Sequence, residues 1–251
     1  MTFEKYTHKI ASAEIAALKL LGYRMEGLHA EEDRFINNNF PNCDLHRLLI
    51  QVNNLLNPLS DRHKRKGVIF ESSIPPSLRL YYLADDFEDV NTGLAIARTF
   101  TWETGALVAK HDFFRLPRVH RGRGIAKQIF KDFLQQYINM GVKKICVYAA
   151  LEDGGFIWAK NFFAAEIKEE VAEILNKAKA KLTQHQYLAI HKIYDNYYMK
   201  YPGGNAFPIH KWAELPFMES ILRGSTWHGS IDLTNREQFA KFVLYVLGEK
   251  S

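Results

Sequence analysis

With 251 residues, 47% of them hydrophobic and 13% aromatic, the chain can bury a sizeable core; this excludes global disorder and fits one large domain or one domain with substantial extensions. A formal net charge of +5 at pH 7 suits an anionic small-molecule ligand, and without a compact basic helix interleaved with aromatics a nucleic-acid partner is not expected. The apolar runs are too short for a membrane span, Met1-Thr2-Phe3-Glu4-Lys5 lacks the layout of a secretory leader, and Cys43 and Cys146 form neither a disulfide framework nor a metal cluster, so a cytoplasmic setting is expected.

The first 58 residues read as helical. Ile15, Leu18 and Leu21 fall at helical spacing, and Gly22 stops that run. Residues 44–56 form a second amphipathic run, with Asp44 placed to cap its start. Asn37-Asn38-Asn39 and Pro41 between them read as a loop. Arg62-His63-Lys64-Arg65-Lys66 is the densest basic run and reads as a solvated loop or helix end. Val68-Ile69-Phe70 is short and apolar, and Ser72-Ser73-Ile74-Pro75-Pro76 breaks the chain. Residues 78–83, 94–102 and 104–116 then read as three strands joined by short turns, which implies an antiparallel meander.

The chain is organised around a glycine-rich turn. Arg121-Gly122-Arg123-Gly124-Ile125-Ala126 lies between the last of these strands and a helix over residues 125–140. The helix carries a core stripe of Ile129, Phe130, Phe133, Leu134 and Tyr137 and ends at Gly141, a candidate for the left-handed position. A strand, a glycine turn and a helix aim backbone N–H groups and the positive end of the helix dipole at one spot, which suits a phosphate or pyrophosphate. Gly122 and Gly124 let the main chain approach such a ligand, and Arg121 and Arg123 add positive charge. Residues 144–150 are apolar on both faces, as in a central strand, with Cys146 read as a buried small hydrophobe. Residues 155–163 form a short helical run.

Arg121-x-x-Gly124-x-Ala126 resembles the acyl-CoA signature of the GNAT family of N-acetyltransferases, and Trp158 to Phe163 resembles that family's Tyr-x-x-x-Gly-Phe region, with Trp158 in the tyrosine place and Phe162 in the glycine place. The resemblance covers roughly residues 78–163. It implies acetyl-CoA as co-substrate and no metal. It implies pantetheine contacts at Phe114 and Leu116 and pyrophosphate contacts at Arg121, Gly122, Arg123, Gly124, Ile125 and Ala126. The family opens with a strand and two helices; here helices come first, and residues 68–70 are the one apolar candidate for the opening strand.

Residues 164–251 read as mainly helical, with a tyrosine-rich helix over 184–201, a break at Pro202-Gly203-Gly204, a short helix over 212–222 interrupted at Pro216, and a strand or loop over 224–231. Thr234-Asn235-Arg236-Glu237 has the form of a capping box before a last helix. The family's final antiparallel strands are not evident.

Acetyl transfer to an amine needs a base for the ammonium, stabilisation of an oxyanion and a proton for the leaving thiolate. Glu103 and Asp112 are the candidate bases. His111, facing the opposite side of the strand from Asp112, reads better as a structural group, and His120 could meet a phosphate. The family's acid is a tyrosine. Trp158 and its neighbour Ile157 are not acids, which leaves Tyr148 as candidate. His185 and His191 are too far apart on one helix to share a metal.

The expected fold is therefore α/β: a GNAT-like mixed, twisted sheet flanked by helices. Its parts are a helical extension (1–66), an acyl-CoA-binding core (67–163) and a mainly helical extension (164–251). The expected function is acetyl transfer from acetyl-CoA to an amine, of a small molecule or a protein, by direct attack in a ternary complex, with a homodimer as a candidate assembly. The alternatives are a noncatalytic acyl-CoA-binding or interaction module, and a basic nucleic-acid-associated protein.

Overall fold

Residues 64–115 form a four-stranded antiparallel meander: β2 (Lys64–Glu71), β3 (Ser77–Ala84), β4 (Ala95–Glu103) and β5 (Ala106–Arg115). The computed structural model describes residues 3–28, 30–204 and 206–248; Met1 and Thr2, part of the stretch read as lacking a leader, lie outside them. It divides into two compact units, residues 1–144 with 244–251, and residues 145–243. The architecture is α/β, and no helix among the described residues is long and apolar enough to cross a membrane.

In the first unit, α1 (Ser12–Leu20) leads to a three-residue strand, β1 (Arg24–Glu26), then α2 (Glu32–Asn39) and α3 (Leu45–Leu56). β1 pairs in parallel with β2, so the sheet is mixed and ordered β1-β2-β3-β4-β5. The opening strand is thus residues 24–26, not 68–70, which lie inside β2. Its sequence, Arg-Met-Glu, has no apolar run to advertise it; Gly67 opposite lets it approach, since a Cβ there would lie 2.9 Å from the Arg24 carbonyl oxygen. The basic run is a loop only at Arg62 and His63. Lys64, Arg65 and Lys66 belong to β2, and Lys66 Nζ bonds Asn53 Oδ1 at 2.8 Å and lies over the rings of Tyr23 and Tyr82.

The asparagine triplet is helical rather than loop. Asn37 exchanges two hydrogen bonds with the Ile10 backbone (3.0 and 2.9 Å), and Trp102 Nε1 donates to the Asn39 carbonyl at 2.8 Å. These long-range bonds outweigh the modest helix propensity of asparagine. Asp44 caps α3, accepting from Arg47 N at 3.0 Å.

Phe70, Leu78, Phe100 and Ala109 stand opposite one another across β2 to β5 and therefore share one face. Helices cover it. Phe35 of α2 meets Phe70 edge-on, and Tyr137 of α4 (Ile125–Met140) meets Phe100. Gly141 ends α4 at φ 73°, with Gly141 N bonded to the Ile138 carbonyl and Val142 N to the Tyr137 carbonyl.

The second unit runs β6 (Lys144–Ala149), α5 (Leu151–Lys160), β7 (Ala164–Ala165), α6 (Lys168–Lys179), α7 (Gln184–Lys200), α8 (His210–Ala213), α9 (Glu219–Arg223), β8 (Trp227–Asp232) and α10 (Arg236–Leu247), whose last turn belongs to the first unit. Its strands are ordered β6-β8-β7, with β7 and β8 antiparallel. A final antiparallel pair therefore exists. It escapes the sequence because β7 has two residues and the whole of α6 to α9 separates it from its partner. The tyrosines of α7 are partly core: Tyr198 stacks on Phe207, which meets Trp212 edge-on at 4.8 Å. Cys146 is half-buried rather than buried. Asn235, not Thr234, caps α10, its Oδ1 accepting from Glu237 N and Gln238 N at 3.1 Å.

Candidate functional site

The glycine turn has the backbone its sequence requires. Gly122 has φ 76° and Gly124 φ 81°, a region that side-chain-bearing residues seldom adopt, and a Cβ at either would meet nothing within 4 Å. Gly124 is the N-cap of α4. No side chain caps that end, and no acidic residue stands in the first turn. The amides of Ile125 and Ala126 thus belong to a first turn without side-chain acceptors, at the positive end of a 16-residue helix.

The two arginines have different roles. Arg121 donates from Nε to the Leu116 carbonyl at 3.0 Å and from Nη2 to the Val90 carbonyl at 2.8 Å, fastening the turn to the end of β5 and to the β3–β4 connection. Arg123 is exposed, and so is the cation beside the turn that an incoming anion would meet. His120 closes a short 3-10 turn (Arg118–His120), its N–H bonded to the Pro117 carbonyl.

Residues 117–119, which precede the turn, line a cleft of about 670 Å³ with Leu59, Arg62, Asn91 and Thr92 among others; none of residues 121–126 lines it. Asp89 shapes one wall by accepting from Asn91 N and Thr92 N, both at 2.8 Å. These backbone donors, with the Thr92 hydroxyl, hold its carboxyl below the usual range.

Along β5 the pairing with β4 is irregular. Ala97 faces Phe113 and Thr99 faces Lys110, so Arg98 alone opposes His111 and Asp112. This is a β-bulge, a device that re-aims side chains. It turns His111 inward and Asp112 outward, as alternation predicts. His111 is 5% exposed, its Nε2 is 2.7 Å from the Tyr137 hydroxyl, and its ring stacks on Phe130. Burial, reinforced by the nearby Arg98 charge, pushes its pKa well below the ordinary value and keeps the ring neutral. Asp112 accepts from Thr99 Oγ1 at 2.7 Å, with Arg79 Nε 4.0 Å away.

Arg98 gives no signal in the sequence beyond a lone cation within an apolar strand. It is wholly buried. Nη1 donates to the carbonyls of Ala97 (2.7 Å) and Phe113 (2.8 Å), one on each strand of the bulge, and the guanidinium lies 5.6 and 5.5 Å from the ring centres of Phe114 and Phe133. Both bonds come from the single nitrogen Nη1, which thus ties the two strands together at the bulge.

The remaining candidates are dispersed. Phe114 is half-buried against Phe130, and Leu116 is buried with its carbonyl held by Arg121. Glu103 is the last residue of β4 rather than part of the turn, paired with Lys110 Nζ at 2.6 Å, at the opposite end of β5 from the glycine turn. That separation is about 30 Å at strand rise. In the second unit, Tyr148 is 55% exposed with its ring 4.7 Å from that of His228. Trp158 is buried edge-on to Phe163, while Ile157 is exposed. Phe162 has φ 66°, with Phe162 N bonded to the Ala159 carbonyl and Phe163 N to the Trp158 carbonyl. The backbone therefore adopts at Phe162 the left-handed helix ending that glycine adopts most easily. No family model matches the chain, and no curated protein is similar to it.

Proposed function

We propose that the protein is an acyl-CoA-dependent N-acetyltransferase of the GNAT type, moving an acetyl group from acetyl-CoA to an amine by direct attack in a ternary complex. The observation that carries this reading is the glycine turn: two left-handed glycines with open space above them, an uncapped helix start and an exposed Arg123. Together they make a receptor for a pyrophosphate. The order of elements supports it as well, since a strand and two helices precede the meander and an antiparallel pair, β7 with β8, comes after it.

In this reading the ligand's phosphates lie on Gly122, Arg123, Gly124 and the first amides of α4, and Arg121 positions the turn. The thioester lies toward the bulge. Asp112 is then the better base: it is solvent-facing and four residues before Leu116, about 13 Å along the strand. It would accept the ammonium proton directly or through water, leaving a neutral amine to attack the carbonyl carbon. The tetrahedral oxyanion then collapses with loss of the CoA thiolate, which takes its proton from water. A second reading, acyl-CoA binding without transfer, is favoured by the buried Trp158 in the place of the family's tyrosine.

Calorimetric titration with acetyl-CoA, and with CoA for comparison, tests both readings. Micromolar affinity, about −8 kcal/mol, is expected. Gly124→Trp should abolish it, because the indole would fill the anion site at a position that also demands positive φ. Undetectable binding to the parent protein, or unchanged binding to the variant, would remove the assignment of the turn. Binding without acetylation of any amine offered would leave the noncatalytic reading.

A further inference from the structure

The first unit brings together a second group of residues that plays no part in the glycine turn. His8 lies in the segment before α1, Glu14 in the first turn of α1, and Asp44 and His46 at the start of α3. Candidate ligand atoms of His8, Glu14 and Asp44 all lie within 4.8 Å of one another. His8 Nε2 is 3.6 Å from Glu14 Oε2 and 3.8 Å from Asp44 Oδ1, and His46 Nδ1 is 3.7 Å from Glu14 Oε1.

These distances are too long for hydrogen bonds, which end near 3.2 Å. They approach the separations of ligands sharing one ion, because metal bonds of about 2.0–2.2 Å at tetrahedral angles place neighbouring ligand atoms about 3.3–3.6 Å apart. A second observation points the same way: His8 Nε2 is shielded from solvent and makes no hydrogen bond. A buried ring nitrogen aimed at two carboxylates without bonding either is unsatisfied as it stands, and a metal ion would satisfy it.

The surroundings hold the carboxylates in place. Asp44 accepts from Tyr6 Oη on one oxygen and from Arg47 N on the other, and Glu14 Oε2 accepts from Ala11 N at 2.8 Å. Outer hydrogen bonds of this kind orient the ligands of metal centres.

We infer that His8, Glu14 and Asp44 bind a divalent transition-metal ion of the zinc class. An imidazole with two carboxylates suits zinc over calcium or magnesium, whose shells are all oxygen. Three protein ligands leave the ion's fourth position to water. It would tie the segment around His8 to α1 and α3, and it is independent of the acetyltransferase reading.

The test is calorimetric titration of the full chain, stripped with a chelator, with zinc chloride. One equivalent should bind, and zinc should raise the melting temperature. His8→Ala and Glu14→Gln should each weaken binding by about 100-fold or more, since losing a ligand costs at least as much as losing its outer support. His191→Ala, at an exposed histidine of α7, should bind as the parent does. Cobalt chloride gives an independent readout in the unaltered protein: the intense visible bands of a tetrahedral centre are expected. Equal zinc affinity in the parent and both site variants, or a weak octahedral cobalt spectrum, overturns the proposal. Should one variant fail to fold, the other variant and the cobalt spectrum still decide.

Discussion

Asp112 and Glu103 are both carboxylates of the same hairpin, yet their surroundings separate them. Glu103 is held by Lys110 at 2.6 Å at the far end of β5, whereas Asp112 is carried by the bulge, bonded to the Thr99 hydroxyl with Arg79 only at 4.0 Å. With acetyl-CoA and a reactive amine, Asp112→Asn should lower kcat by about 100-fold or more, the scale of general-base catalysis. Glu103→Gln should leave the rate within about twofold and the pH profile in place. Equal rates for both variants would remove Asp112 as the base. At this scale the sequence is legible where a residue acts on its own neighbours. Asp44 caps three residues onward, and Gly141 takes the conformation open to it. Arg98 is illegible for the converse reason: its partners are carbonyls on two strands and rings on a strand and a helix.

Among the elements, α4 runs over residues 125–140 as its apolar stripe predicts, because sixteen residues of one periodicity leave no competing register. β1 and β7, with three and two residues, have no periodicity to read; their pairing partners define them. α5 shows how tightly such partners constrain a residue. A Cβ on Gly155 would sit 2.2 Å from the Leu222 carbonyl oxygen and 2.5 Å from that of Ser225, and the Gly155 carbonyl itself accepts from Trp227 Nε1 at 3.2 Å. Gly155→Ala must push α5 and α9 apart and should destabilise the protein by about 2–3 kcal/mol. Denaturant unfolding would measure it, and a change below about 0.5 kcal/mol would contradict this packing.

For the whole molecule, the histidines link stability to pH. His111 is held neutral by burial and then by Arg98; His210 is pushed down to about 4 by burial first, then by Lys241 and Lys211. In the unfolded chain both titrate near 6.5. Below about pH 6.5 the unfolded state therefore binds more protons than the folded state, and stability falls as pH falls toward 4; above 6.5 both groups are neutral in both states and contribute nothing. His111 alone can add a slope of up to about 1.4 kcal/mol per pH unit. Melting temperature should drop between about pH 7 and about pH 5, and less steeply in His210→Gln. A flat profile, or the same slope in the variant, would contradict it.

By itself the sequence determines what depends on contacts a few residues long: the glycine turn, the Asp44 cap, the long amphipathic helices and the last three strands of the meander. These follow from steric limits on φ and from periodicities of 3.6 and 2, which the chain carries locally. Only the tertiary structure decides the parallel pairing of β1, the helical state of Asn37 to Asn39, the return of β8 to β7, the β5 bulge over Arg98 and the meeting of His8 with Glu14 and Asp44. In each, the stabilising partner lies outside the local segment, so its energy exists only after the chain has folded back on itself.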